Sequence, residues 1–216
     1  GKVFITLKGN MIMDKRTYFL KIFKKAEKKY KNYSKRLAGE GWKYDWQTLI
    51  TTILSAQSRD ETTIPIAENL FKKYSTLNKL AMAKYKDVFK ILKRINYNKT
   101  KTKNVINAAK LIIKNYHGKI PDNIEDLVKI PGVGRKTANL VLTEVHNKDA
   151  IVIDTHCHRL LNVLGIVKTK NPHQTELEMM EIVPKKYWSK INRIFVLWGK
   201  DVMGKDKNKI LSKLND

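Results

Sequence analysis

Four residues, Pro131-Gly132-Val133-Gly134, constrain this chain more than any other stretch. Ahead of them runs a short apolar and acidic segment from Asp122 to Ile130, and behind them Arg135, Lys136, Thr137, Ala138, Asn139, Leu140 and Val141. Asp122 or Asn123 can cap a short helix that ends near Ile130, where Pro131 and Gly132 stop it. Gly134 stands just before a second helix. The pattern is helix, tight glycine hairpin, helix. The glycines allow unusual backbone angles and the close approach of a ligand. The free amides that open the second helix form an anion site. Arg135 and Lys136 fall in that helix's first turn, where the macrodipole disfavours a cation by ~0.3–1 kcal/mol each, and a bound phosphate would offset the cost. A lone Gly-x-Gly is also what an ordinary αα-hairpin with solvated cations shows. The flanking proline, the paired cations and the charge of the whole chain turn the reading towards a DNA backbone.

That charge is large. Among 216 residues, 44 Lys and Arg stand against 20 Asp and Glu, a formal net charge of +24. Such an excess calls for a polyanionic partner, nucleic acid or an acidic membrane surface. A Lys-, Ile- and Asn-rich composition can also follow codon usage, but the positive field is physically present either way. Hydrophobic residues at 42% and charged residues at 30% describe a folded chain with a core.

Cys157 is the only cysteine, which excludes an intrachain disulfide and a four-cysteine zinc or iron–sulfur site. No apolar run approaches the ~20 residues of a membrane span. The opening Gly1 to Lys8 is too short in apolar residues for a secretory signal. It reads as a short strand or as a partly foreign leader, since Met11 and Met13 both look like starts. An intracellular protein, in the cytoplasm with the nucleoid, is the expectation.

The rest reads as nearly all helix. Asp14 to Leu37 carries Tyr18, Ile22, Phe23, Ala26 and Tyr30 at helical spacing. Gly39, Gly41 and Pro65 read as interruptions. A helix is expected from Asp45 to about Ala56, then over 61–73, 77–81, 85–93 and 99–116, and later over 155–165, 173–182 and 187–203. Ala150-Ile151-Val152-Ile153 is apolar and β-branched, yet at four residues it reads as a buried connector.

Two stretches now carry a resemblance. Ile130 to Asn139, followed by Val152-Ile153-Asp154-Thr155-His156, closely resembles endonuclease III and the helix-hairpin-helix DNA glycosylases. The likeness extends upstream to Leu54-Ser55-Ala56-Gln57-Ser58-Arg59-Asp60 and covers roughly 45–200. The chain departs from the family's Gly/Pro-rich loop, because no Gly or Pro lies between Gly134 and Asp154. The resemblance implies two catalytic residues. Lys136 matches the lysine that attacks the sugar C1′, expels the base and forms a Schiff base. Asp154 matches the aspartate that assists the attack and balances positive charge on the sugar. The chemistry suits the residue types: burial beside other cations favours a neutral, nucleophilic amine, and a nearby carboxylate stabilises an oxocarbenium-like sugar. Asp154 is equally well placed to cap the helix that begins at Thr155. Gly132, Val133, Gly134 and Arg135 match the hairpin that grips DNA. Gln57 matches the residue inserted where a nucleotide has been extruded, and Tyr97 the wedge against the opposite strand. A tyrosine there could stack on a base or simply pack on its own core.

The resemblance fails at one place. The family ends in four cysteines that ligate an iron–sulfur cluster, and here the corresponding tail, Trp198 to Lys207, has none. Neither that cluster nor another metal is therefore expected, beyond a monovalent cation at the hairpin. Lys200, Lys205, Lys207 and Lys209 are candidates to replace the cluster loop's DNA contacts, and a solvated tail is the alternative. His156-Cys157-His158 is a poor metal set, since neighbours on a helix point to different faces. The expected architecture is all-α, with two helical lobes, a helix-hairpin-helix motif and a cleft between the lobes. Residues 45–148 would form the central domain, and 1–44 with 149–216 the second lobe. The implied protein is a monomeric base-excision glycosylase with abasic-site lyase activity on double-stranded DNA carrying a damaged base or abasic site. Oxidised pyrimidines or uracil are favoured over 8-oxoguanine. The alternatives are a glycosylase without lyase activity and a non-catalytic DNA-binding module. An acidic-membrane binder is a distant third, because no strongly amphipathic terminal helix stands alone.

Overall fold

A computed structural model describes the backbone of residues 4–6 and 12–215 and the side chains of 13–215. The side chains of residues 1–12 lie outside the described residues, and so does the reading of Gly1 to Lys8 as a partly foreign leader. Two short antiparallel strands open the chain, β1 (Phe4–Thr6) and β2 (Ile12–Asp14), in the register Ile5 to Met13. The remainder is helical. The chain divides into two compact units, one of Arg36–Lys148 and one of Gly1–Lys35 with Asp149–Asp216. The first is thus inserted within the second, and it takes in residues 36–44, against the expectation that they join the other lobe. Trp42 explains this: it meets the Phe71 ring edge to face at 5.0 Å, and its indole N–H donates to the Ala38 carbonyl.

In the inserted unit, α2 (Asp45–Ser55) and α6 (Asn98–Tyr116) carry the core. Leu49, Ile50, Ile53 and Leu54 of α2 and Val105, Ala108, Ala109 and Ile112 of α6 are fully or almost fully buried. Burying each of the larger side chains contributes roughly 1.5–3 kcal/mol. Around them lie α3 (Asp60–Lys73), α4 (Leu77–Ala81), α5 (Tyr85–Leu92), α7 (Ile124–Leu127) and α8 (Arg135–Glu144). Pro65 does not interrupt α3 but lies inside it. Its ring removes only the amide that would bond the Glu61 carbonyl, and both residues are exposed, so water can take that carbonyl.

The other unit holds α1 (Lys15–Tyr30), α9 (Thr155–Val163), α10 (Pro172–Ile182), a 3₁₀ turn at Lys185–Tyr187, α11 (Trp188–Asp201) and α12 (Lys207–Ser212). Its core is aromatic: Phe19 stacks on Phe23 and Phe195, and Phe195 tilts against Trp198 at 5.5 Å. Helix α1 stops seven residues short of Leu37. Beyond it, the carbonyls of Tyr33 and Lys35 accept from the Arg193 guanidinium instead of continuing a helical ladder. Residues 150–153 are buried without forming a strand, as a connector should be.

Candidate active site and nucleic-acid interface

The hairpin follows from local chemistry. Asn123 is the cap of α7, its side chain accepting from the Asp126 amide at 2.8 Å. The turn closes with the Val133 amide donating to the Ile130 carbonyl at 3.0 Å. The two glycines differ in what they do. Gly132 has φ +84, and a Cβ there would meet Ile53 Cγ2 at 2.8 Å and Asn104 Cβ at 3.0 Å, so the packing of α2 and α6 against the turn demands glycine. Gly134 has an ordinary extended backbone, φ −91 and ψ −179, and nothing lies within 4 Å of where its Cβ would be. Only one of the two glycines therefore needs an unusual angle. The open space at Gly134 faces the start of α8, whose first residues are Arg135 and Lys136, both exposed. Its first turn holds no acidic residue. Lys136 is not buried in the free protein, contrary to the expectation of a desolvated amine.

Asp154 lies in the other unit and caps α9, its Oδ1 accepting from the Cys157 amide at 2.8 Å. The side chains after it on this helix serve the structure of their own unit. Cys157 is buried, and His158 Nδ1 pairs with Thr175 Oγ1 at 2.7 Å. Arg159 reaches the tail: its guanidinium donates to the carbonyls of Gly204, Gly199 and Val202 at 2.6, 2.7 and 3.1 Å. Burial pushes the Arg159 pKa down, and the nearby Asp154 charge opposes this. The tail is ordered. Asp206 caps α12, Ile210 is fully buried, and its carbonyl accepts from the Trp198 indole N–H at 3.2 Å. Lys207 lies over the Tyr18 ring, Lys200 is half-buried, and Lys205 and Lys209 are exposed. A four-thiolate cluster does not fit these residues: Cys157 is the lone cysteine. Among the described residues no group of three or more His, Cys, Asp or Glu could hold a metal ion.

Gln57 and Tyr97 come together in the inserted unit. Both are exposed and both have left-handed backbone, φ +54 and +56, although neither is glycine. Tyr97 is 65% exposed, so it is not packed on its own core. Their loops are joined by Asn96, whose Nδ2 donates to the Gln57 carbonyl at 2.8 Å. Beneath them Lys101 is buried, its Nζ donating to the Leu54 and Ala56 carbonyls at 2.8 and 2.5 Å and to Ser58 Oγ at 3.0 Å. Sequence reasoning singles out neither Asn96 nor Lys101. A signal for Lys101 exists, since it falls on the buried stripe of α6 with Val105, Ala108 and Ile112.

A mostly helical frame carrying a helix, glycine hairpin and helix defines a helix-hairpin-helix protein. The chain belongs to the HhH-GPD superfamily of base excision DNA repair proteins, whose family model matches residues 50–185. It is 38% identical to endonuclease III of Thermotoga maritima over 157 residues, 73% of this chain and 74% of that one. A solved endonuclease III–DNA covalent intermediate, trapped with an estranged adenine, superposes with a TM-score of 0.81. It covers 88% of this chain and 89% of that one at 25% identity. A thermostable thymine-DNA glycosylase shares the fold, with a TM-score of 0.78, 21% identity and coverage of 93% and 94%. The chain is thus a base-excision enzyme of the DNA N-glycosylase and abasic-site lyase class. Among the described residues no helix is long and apolar enough to cross a membrane.

Proposed function

We propose that Lys136 is the nucleophile of this enzyme and Asp154 its electrostatic partner, acting on double-stranded DNA that carries a damaged base. The observation that carries this is the placing of Lys136. It is an exposed lysine in the first turn of α8, two residues past a glycine above which the fold leaves open space. DNA phosphates would lie against the amides of Gly134 and the first turn of α8, where the helix dipole favours an anion. Val133, Gly132 and Arg135 complete that grip. The duplex itself would exclude water from Lys136.

The Lys136 amine attacks C1′ of the extruded nucleotide, and the bond to the base breaks with its electron pair leaving on the base. Asp154 stabilises the positive sugar. Its Oδ1 is engaged by the Cys157 amide, which fixes the carboxylate's orientation, and Oδ2 is the oxygen assigned to the sugar. Ring opening gives a Schiff base, loss of a proton from C2′ expels the 3′ phosphate, and water then frees the lysine. Gln57 and Tyr97 fill the hole left by the nucleotide and press on the opposite strand. An oxidised pyrimidine or uracil is the proposed base, as the resemblance to endonuclease III implies. Working on DNA places the enzyme inside the cell with the chromosome. Turn carbonyls of the hairpin would be the donors for a monovalent cation, and no step requires one.

Borohydride trapping tests the reading. A duplex with one abasic site should give a covalent adduct with the wild type and none with Lys136→Gln, while Lys136→Gln still binds. An adduct with both proteins would remove Lys136 from its role. No adduct with either, despite tight binding, would favour a glycosylase without lyase activity or a binding module.

A further inference from the structure

Lys101 is an unusual residue to bury. It is 5% exposed, and the acceptors it holds are carbonyls and a hydroxyl. A cation at the C-terminus of α2 gains from the helix dipole and takes carbonyls that the helix leaves unpaired. Capping alone would not need it, because helices end without buried ammonium groups as a rule. The turn beyond this helix end sets it apart. Between Ser55 and Ser58 it carries Gln57 at positive φ, and the loop before α6 carries Tyr97 at positive φ. A non-glycine residue in that conformation is strained and persists only where the surroundings over-determine it. Here the surroundings are identifiable. Lys101 fixes the Gln57 turn from beneath, through Leu54, Ala56 and Ser58, and Asn96 ties that turn to the Tyr97 loop.

We propose that Lys101 and Asn96 are positioning residues for nucleotide extrusion, holding Gln57 and Tyr97 as one rigid two-pronged unit already shaped to enter the base stack. A flexible pair would have to be ordered during extrusion, which adds to the barrier of opening the duplex; a pair strained and held in advance does not. The inference rests on the proposed insertion roles of Gln57 and Tyr97. It adds the two residues, neither of which touches DNA, that make the insertion efficient.

The test compares two substrates, an abasic site in a fully paired duplex and the same site inside a five-nucleotide bubble that needs no opening. Single-turnover borohydride trapping gives the ratio of the duplex rate to the bubble rate, and thermal melting follows the fold. For Asn96→Ala, an exposed change that leaves the core intact, the ratio should fall about tenfold while the melting temperature moves little. For Lys101→Met the ratio should fall further. A merely structural role would lower both rates together and leave the ratio unchanged, and that result overturns the proposal. Gln57→Ala and Tyr97→Ala separate the two ways of failing. If neither shifts the ratio, the insertion reading falls and the positioning role with it. If both shift it and Asn96→Ala and Lys101→Met do not, only the positioning role falls.

Discussion

At the scale of single residues, the two hairpin glycines make opposite predictions. Gly132→Ala would place a Cβ 2.8 Å from Ile53 in a left-handed backbone, so it should cost about 1–3 kcal/mol of stability. Gly134→Ser meets no neighbour and puts a good capping residue at the start of α8, so its stability should equal or exceed the wild type's. Affinity for an abasic duplex should nevertheless drop about tenfold, because the hydroxymethyl group occupies the space a phosphate would use. Chemical denaturation beside a binding titration checks both, and undiminished affinity of Gly134→Ser would show that no backbone comes close there. Lys101 yields a pH prediction. Burial pushes its pKa from 10.5 down to about 8. Between about 8 and 10.5 the unfolded chain therefore holds a proton that the folded chain has released, so stability rises with pH across that window. The contribution is complete above 10.5 and is lost as pH falls through 8. Measured against Lys101→Met, which cancels the background of other lysines, wild-type stability should climb from pH 8 to 10; a flat difference would mean Lys101 stays charged where it is buried. The glycine hairpin was legible from its own residues, because proline and glycine act locally. Lys101 was hidden among Lys99, Lys103 and their neighbours, since only tertiary packing decides which lysine turns inward. Gln57 and Tyr97 are singled out by resemblance alone, and nothing in a glutamine or a tyrosine announces a left-handed backbone.

At the scale of elements, the packing of α9 on α11 turns on Gly199. A Cβ there would lie 2.6 Å from His156 Cβ, an atom fixed by the helix backbone and unable to swing aside. Alanine would raise the helix propensity of α11 by about 1 kcal/mol, but prying the two helices apart costs ~1–3 kcal/mol. Gly199→Ala should therefore be net destabilising, seen as a lowered melting temperature; an increase would show that the helices part freely. The consequence reaches the tail, because Arg159 on α9 holds the Gly199, Val202 and Gly204 carbonyls that lead into α12. This is how the residues after α11 stay ordered with no cysteine among them. The helical periodicity gave most elements within a few residues, including α2, α3 and α6. Where it erred, side chains from distant elements hold the chain: Arg193 binds the Tyr33 and Lys35 carbonyls in the non-helical stretch after α1, and Ile210 seats α12 in a core that a lysine-rich tail does not advertise.

At the scale of the whole molecule, a net charge of +24 raises a question that no single contact answers: how many of the 44 basic side chains touch DNA. The exposed hairpin cations and helix N-terminal amides need engage only a few phosphates, and the other lysines act through their summed field. The two contributions separate in a salt titration. Each phosphate neutralised by the protein releases condensed counterions, so log affinity falls with log salt at about −0.9 per phosphate. About five contacts would give a slope near −4.5, a loss of roughly 500-fold over a fourfold rise in salt. Diffuse field from distant lysines is screened over ~10 Å at 0.1 M salt and contributes little to affinity there, though it still speeds encounter at low salt. Arg135→Ala, which removes one candidate phosphate contact, should make the slope shallower by about one. Changing an exposed lysine far from the hairpin in sequence and on another helix, such as Lys72 at the end of α3, should leave it unchanged. Equal effects of the two substitutions would mean that binding is set by total charge. An affinity flat between low and moderate salt would mean that phosphates are not what this positive surface holds.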